Sequence, residues 1–401
     1  MKILSDLPRN AKYPILLEPM YSIFGGVILF YLPLYMKEIG VSEVEMGIVN
    51  TCNIFLSFVF FFFAGTITNK LGRRKTTFIF DVISWTIPMF LWAVAQNLWY
   101  FLAAAVINSA VKVVFVSWNC LVTEDTPPDK RAKVFGLLYI IIYVCGLTTP
   151  VAGMIIARHG TVPTMRIIYA LGLVSMTAAF IIRNALVRET AAGRAMMEKH
   201  NGVSIARGIS NYLSSVRNMA KNRSLILITA VFVISNFIIQ LNFFQVLFLT
   251  DFLGFGEFTV SMVPGIGALI NIMLYVFILP RLGKFSEEFI LTISVSIAAV
   301  GAFMFILIPK GNLFYLIPII SIIAVGNFML QTFRDSILMN RTDEHGKADT
   351  YAAVQTLTSL LCIPAGYIGG LTYSMNPLIP FVIILILSFM LVPITIAIRK
   401  K

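Results

Sequence analysis

The sequence predicts an all-α integral membrane protein of twelve transmembrane helices, arranged as two six-helix halves. Three observations carry this. The chain is 58% hydrophobic with only 12% charged residues, whereas about a quarter of a soluble domain is charged. Cutting it at charges, Gly/Pro clusters and polar turns leaves twelve apolar segments, near 14–36, 44–69, 76–96, 98–122, 134–157, 163–187, 224–250, 258–280, 289–309, 312–339, 349–374 and 376–398. Each reaches the ~20 residues that span a bilayer as helix. Finally, a short basic phrase, Asn69-Lys70-Leu71-Gly72-Arg73, follows the second segment and returns as Pro280-Arg281-Leu282-Gly283-Lys284 after the eighth.

Twelve spans put both termini on one side, and the cations test which. With the N-terminus inside, only Lys37, Arg158, Arg166 and Lys310 of the 31 Lys and Arg fall outside, and Lys112 falls within a helix. Short inner loops rich in Lys and Arg follow the positive-inside rule. The expected topology is a multi-pass protein of the cell membrane with both termini cytoplasmic. The net charge of +12 then faces anionic headgroups, and no nucleic-acid partner is implied. Met1–Lys12 is polar and Tyr13 opens a full-length span, so no cleavable signal peptide is expected. Cys52, Cys120, Cys145 and Cys362 lie in apolar runs without Cys-x-x-Cys spacing, and the three His are scattered across loops. These read as small buried thiols and loop residues, with no disulfide or metal site.

Taken in order, the spans differ in where they carry polar groups, which are costly in lipid unless they face the bundle interior or a wet cavity. Span one places Glu18, Tyr21, Ser22 and Gly25 on one face. The turn between spans two and three, 65–75, carries Gly65, Asn69, Lys70, Gly72, Arg73, Arg74 and Lys75. Gly72 supplies its backbone freedom. Span three holds Asp81 near its inner end. Span four has Asn108, Lys112 and Asn119 in one stripe. Lys112 lies about ten residues from the inner end, roughly 15 Å deep, beyond the reach of snorkelling. It should face a wet cavity or pair with Glu18, Asp81 or Asp335. Span five carries Tyr139 and Tyr143 one turn apart, then Pro150 and Gly153, a kink and a close helix contact. Span seven aligns Asn236, Gln240 and Phe243, and span ten aligns Asn327, Gln331, Arg334 and Asp335. Spans six, nine and twelve have few polar residues in their middles.

The division into domains follows: 1–187, a six-helix half; 188–223, a cytoplasmic linker; and 224–401, the second half. In the linker, Ile205, Ile209, Tyr212, Leu213, Val216 and Ala220 recur at helical spacing, an amphipathic helix for the inner membrane surface. Lys133 precedes Pro150 by the same interval as Lys347 precedes Pro364, which fits a six-helix repeat.

The chain resembles the major facilitator superfamily of secondary transporters over nearly its whole length. The 65–75 turn is similar to that family's signature, Gly-x-x-x-Asp-Arg/Lys-x-Gly-Arg/Lys-Arg/Lys. Gly65, Lys70, Gly72, Arg73 and Arg74 match, while the acidic position is Asn69. In the family that acid helps latch the cytoplasmic side. Asn69 can hydrogen-bond there but cannot form an ion pair, and Asp81 is a candidate substitute. Glu124-Asp125-Thr126-Pro127-Pro128-Asp129-Lys130-Arg131 resembles the family's connection into helix five. Thr149-Pro150 with Gly153 partly matches an element of proton antiporters. The resemblance implies two halves related by pseudo-two-fold symmetry, with spans one, four, seven and ten lining a central cavity.

On this reading the protein is a monomeric secondary transporter, with a small-molecule substrate, a coupling ion (a proton) and the lipid bilayer as partners. Tyr21, Ser22, Asn108, Lys112, Asn119, Asn236, Gln240, Asn327 and Gln331 would bind substrate. Glu18 and Asp81, carboxyls taken partly out of water, would carry the proton, though Asp81 also suits pairing with Arg73 or Arg74. Gly65, Asn69, Lys70, Gly72, Arg73, Arg74, Arg334 and Asp335 would form the gate. The acids and aromatics favour efflux of amphipathic compounds, and Lys112 and Arg334 favour an organic anion. A non-transporting, receptor-like role is the alternative from another class. The chain has no Gly-x-x-x-x-Gly-Lys-Ser/Thr loop and no His-Glu-x-x-His motif, so no enzymatic activity or cofactor is expected.

Overall fold

The computed structural model describes residues 6–199, 222–341 and 347–399. Among them the secondary structure is helical, with no strand. Twelve spans are long and apolar enough to cross a membrane: α1 Arg9–Glu38, α2 Glu43–Leu71, α3 Arg73–Ala93, α4 Leu98–Thr123, α5 Lys133–His159, α6 Thr161–Leu186, α7 Arg223–Phe252, α8 Glu257–Leu282, α9 Glu287–Ile306, α10 Leu313–Leu338, α11 Ala353–Met375 and α12 Ile379–Arg399. A short linker helix, Ala191–Lys199, follows α6. The amphipathic helix expected around Ile205–Ala220 lies outside the described residues, as do His200 and His345.

Polar side chains and glycine punctuate these helices. Asn97, Asn222, Ser286 and Asn312 cap α4, α7, α9 and α10 by accepting backbone N–H bonds of the first turn. Gly72 turns the chain from α2 to α3 at φ 83°, a conformation open to glycine and strained for L side chains.

The spans are interrupted where chemistry or proline demands it. Asp81 is followed at once by a π-helical turn, Val82–Thr86. In α4 the helix pauses at Ser109–Ala110. In α7 a 3₁₀ turn, Asn242–Phe244, and a π-helical turn, Phe248–Phe252, alter the register. Breaks also precede Pro150 in α5 and Pro364 in α11. Proline has no N–H to donate to the preceding turn, and the two breaks fall at the equivalent places of the sequence correspondence.

The chain divides into two compact units. Unit 1 comprises Met1–Val41, Cys52–Thr148 and Arg158–Arg207, and unit 2 comprises Ser42–Thr51, Thr149–Ala157 and Gly208–Lys401. In unit 1, Ala11 and Ile15 of α1 are buried with Val122 of α4 and Val134 and Leu138 at the α5 entry. In unit 2 a buried cluster joins Phe232 of α7, Leu291 and Val295 of α9, Ile337 of α10, Val354 of α11 and Leu391 of α12. Glycine sets the spacing of α9 and α10. A Cβ at Gly326 would lie 2.6 Å from the Ala298 nitrogen, and one at Gly301 would lie 2.7 Å from Ile323. Close backbone approach at small residues is how helices pack where no hydrophobic force drives them together. Large apolar side chains such as Trp99, Phe314 and Met375 stay exposed at span ends, suited to lipid rather than water.

Candidate functional site

The basic turn of unit 1 forms a densely bonded polar cluster with the ends of α4 and α6. Arg73 is 4% exposed, and its guanidinium grips Glu124 at the end of α4 through Nε at 3.0 Å and Nη2 at 2.9 Å. Its Nη1 donates to Asn69 Oδ1 at 3.0 Å. Glu189, just beyond α6, accepts the backbone N–H groups of Arg73 at 2.8 Å and Arg74 at 3.0 Å. An anion is favoured there by the free N–H groups and the dipole of α3. Thr190 donates its hydroxyl to Glu124 and accepts the Gly193 N–H. Arg74 Nε donates to the Asn184 carbonyl at 2.9 Å. Lys70 is exposed, and a Cβ at Gly65 would meet open space.

A cavity of about 240 Å³ opens in the same unit, between α1, α3, α4, α5 and α6. Its polar groups are Glu18 and Tyr21 of α1, Asp81 of α3 and Arg183 of α6, and Trp85, Phe115, Trp118 and Phe180 give it aromatic walls. Arg183 forms an ion pair with Asp81, and its guanidinium lies 5.4 Å from the Phe180 ring centroid, a cation–π distance. Ser22 donates to Glu18 at 2.6 Å. Tyr21 meets Trp85 edge-on, with ring centroids 5.1 Å apart. Two carboxylates among aromatic faces suit the positive end of an amphipathic molecule.

Unit 2 has its own cavity, of about 120 Å³. Asn327, Gln331 and Arg334 of α10 line it with Ser235, Asn242 and Gln245 of α7. Arg334 donates through Nη1 to Ser235 at 2.7 Å, lies 3.3 Å from Asp335, and stacks 4.1 Å from the Phe232 ring centroid. A guanidinium flanked by amides is equipped to hold a carboxylate or a polar carbonyl.

Other sequence-stripe residues are engaged locally. Asn108 donates to the Ser84 carbonyl at 2.8 Å, inside the π-helical turn of α3. Asn119 and Asn236 each donate one turn back, to the carbonyls of Phe115 and Phe232. Gln240 is half-buried and outside the lining of the unit 2 cavity. Lys112 is half-buried at the start of the second stretch of α4. Its expected pairing with Glu18 or Asp81 is not made: Lys112 lies outside the lining of the cavity that holds those acids, where Glu18 accepts from Ser22 and Asp81 pairs with Arg183. Sequence reasoning missed Arg183, Ser235, Asn242, Gln245 and Glu189. Arg183 entered only as one of the inner-side cations of the charge count, although its spacing from Phe180 puts both on one face. Gln240 lies on the regular part of α7, before the 3₁₀ turn, whereas Asn242 and Gln245, at and beyond that turn, line the cavity.

The family model described as the Major Facilitator Superfamily matches residues 20–366. The chain belongs to the major facilitator superfamily. It is 27% identical over 303 residues to Multidrug resistance protein MdtG of Yersinia enterocolitica, covering 71% of this chain and 67% of that protein. It is 22% identical over 192 residues to Quinolone resistance protein NorA of Staphylococcus aureus, covering 47% and 49%. In fold it is similar to a POT family transporter solved with 5-aminolevulinic acid (TM-score 0.73, 12% identity, covering 98% of this chain and 96% of that one). It is also similar to the nucleoside transporter NupG (TM-score 0.69, 14% identity, 98% of each). It is thus a multi-pass membrane transporter of the major facilitator type.

Within the superfamily's signature turn, the substitute for the absent acid is not Asp81. That residue is 3% exposed and committed to Arg183. Glu124 and Glu189 supply the negative charge around Arg73 and Arg74, and Asn69 contributes a neutral acceptor.

Proposed function

We propose that this major facilitator exports amphipathic compounds in exchange for protons. The observation that carries the reading is the unit 1 cavity, where Glu18 and Asp81 sit among the rings of Tyr21, Trp85, Phe115 and Phe180. Carboxyls inside a span are expensive and mark ion or proton pathways. Aromatic faces bind varied apolar and cationic bodies without demanding one shape. The similarity to MdtG and NorA, a multidrug and a quinolone resistance protein, points the same way. The protein works as a monomer with both termini cytoplasmic. Two six-helix halves, 1–187 and 224–401, expose the site alternately to each side, and the linker 188–223 joins them. Tyr21 and Ser22 position the solute on the first half, and Asn327 and Gln331 on the second.

Reconstitution into proteoliposomes tests this. An imposed proton gradient should drive ethidium across the membrane, and Glu18→Gln should stop it. Ethidium movement that ignores the gradient sinks proton coupling, and absence of movement for ethidium and other lipophilic cations sinks the exporter reading. A second reading, transport of an organic anion, draws on Arg334 beside Asn327 and Gln331 in the unit 2 cavity, with Lys112 as a further cation. It predicts gradient-driven movement of 1-naphthoate that Arg334→Gln abolishes.

A further inference from the structure

The unit 1 cavity holds two carboxyls and one guanidinium, and the three are not equivalent. Asp81 is 3% exposed and ion-paired with Arg183. Arg183 is itself fixed on its other side by the Phe180 ring. Glu18 has a different kind of partner, the Ser22 hydroxyl at 2.6 Å on its own helix.

We propose that Arg183 is a positioning residue that gives the two carboxyls different roles: it holds Asp81 as a fixed counter-charge and leaves Glu18 as the group that exchanges the proton. This rests on the proton-coupled reading above and goes beyond it by choosing between its two acids.

The donor and acceptor chemistry supports the choice. A guanidinium carries donors only, so a protonated Asp81 would forfeit its charge pairing and gain no acceptor from Arg183. A serine hydroxyl both donates and accepts. The Ser22–Glu18 bond therefore survives protonation with its direction reversed, and Glu18 can gain and lose a proton without leaving a buried polar group unpaired. Charge count points the same way. Two ionised carboxylates against one guanidinium leave one negative charge unbalanced in a cavity walled by aromatic rings, which is costly unless a proton or a cation occupies it. With Asp81 matched, the unbalanced position is Glu18.

The cation that acts on Glu18 is Arg183, and its ion pair is made with Asp81. From α1 Glu18 meets Tyr21 and Ser22, from α3 Asp81, and from α6 Arg183, which is already paired. Cys145 of α5 lies within electrostatic reach. The wall from α4 is Val111, Val114, Phe115 and Trp118, and Lys112 is outside it.

Labelling by dicyclohexylcarbodiimide reads this directly, because the reagent attacks protonated carboxyls in apolar surroundings. The purified full-length protein would be labelled in detergent across a pH series and the modified residues mapped by mass spectrometry. The expected result is modification at Glu18, declining in one step as pH rises, with Asp81 unmodified. Arg183→Gln leaves Asp81 without its counter-charge and should bring its modification to a level comparable with that of Glu18. Arg183→Lys keeps the positive charge and should restore the wild-type pattern, which separates positioning from misfolding. Modification of Asp81 with Glu18 spared in the wild type would overturn the assignment, as would an Asp81 that stays unmodified in Arg183→Gln. The labelling needs no substrate, so its failure is distinct from a failure of ethidium export.

Discussion

The Glu189 carboxylate accepts the backbone N–H of Arg73 at 2.8 Å. An acid from beyond α6 thereby caps the first turn of α3 and ties the start of the linker to the signature turn. Capping and the helix dipole act together at this spot. Glu189→Ala should cost about 1 kcal/mol, read as a lower thermal midpoint for the purified protein. An unchanged midpoint would show that water replaces the cap at no cost.

Arg73 and Glu124 form a nearly buried pair, with side chains 5% and 20% exposed. Removing one partner of a buried pair strands the other charge, at a cost of about 3–5 kcal/mol. Arg73→Met and Glu124→Leu should each destabilise strongly, and the double variant should recover much of the loss. A double-mutant cycle in denaturant unfolding measures the coupling. Additive losses would mean that the pair contributes nothing as a pair.

Asn69 already accepts Arg73 Nη1 at 3.0 Å. Asn69→Asp turns a neutral acceptor into a charged one, and charge-assisted bonds are roughly twice as strong as neutral ones. The variant should melt higher, and it should transport more slowly if this turn acts as the proposed cytoplasmic gate. An unaltered rate with an unaltered melting point would leave residue 69 without a role in the latch.

Gly326 permits the contact of α10 with α9 in unit 2. Its Cβ would sit 2.6 Å from backbone nitrogen of Ala298, and backbone cannot swing aside as a flexible side chain can. Gly326→Val should cost at least the 1–3 kcal/mol typical of overpacking, visible as a lower melting temperature and poorer recovery from detergent. A variant as stable as the parent would show that α9 and α10 separate freely.

Within unit 2, Arg334 is held by Ser235, Asp335 and the Phe232 ring. Arg334→Lys keeps the charge but loses the planar fork and the stacking. The Michaelis constant of a transported solute should rise severalfold while the protein still folds. Equal kinetics in the two forms would confine Arg334 to a structural role.

Much of this protein is legible in one dimension. Span lengths come from bilayer thickness acting on each segment alone, so α1 to α12 appear in the sequence within a few residues of their ends. Face periodicity placed Glu18 with Tyr21, and Asn327 with Gln331, because those stretches of α1 and α10 are regular helix. It did not single out Asn242 and Gln245, because the 3₁₀ turn at Asn242–Phe244 changes the helical register from there on. It also credited Asn119 and Asn236 to a cavity, when each amide is satisfied by its own helix one turn back.

The sequence by itself determined the membrane class, the twelve spans, the basic turn at 65–75 and the presence of ionisable groups inside lipid. These are local properties, set by hydropathy, length and charge along the chain. The tertiary structure alone decided who partners whom. Arg183 meets Asp81 across 102 positions of sequence, and Glu189 reaches Arg73 across 116. Such pairings depend on which helix faces pack together, and no periodicity within a single helix encodes that.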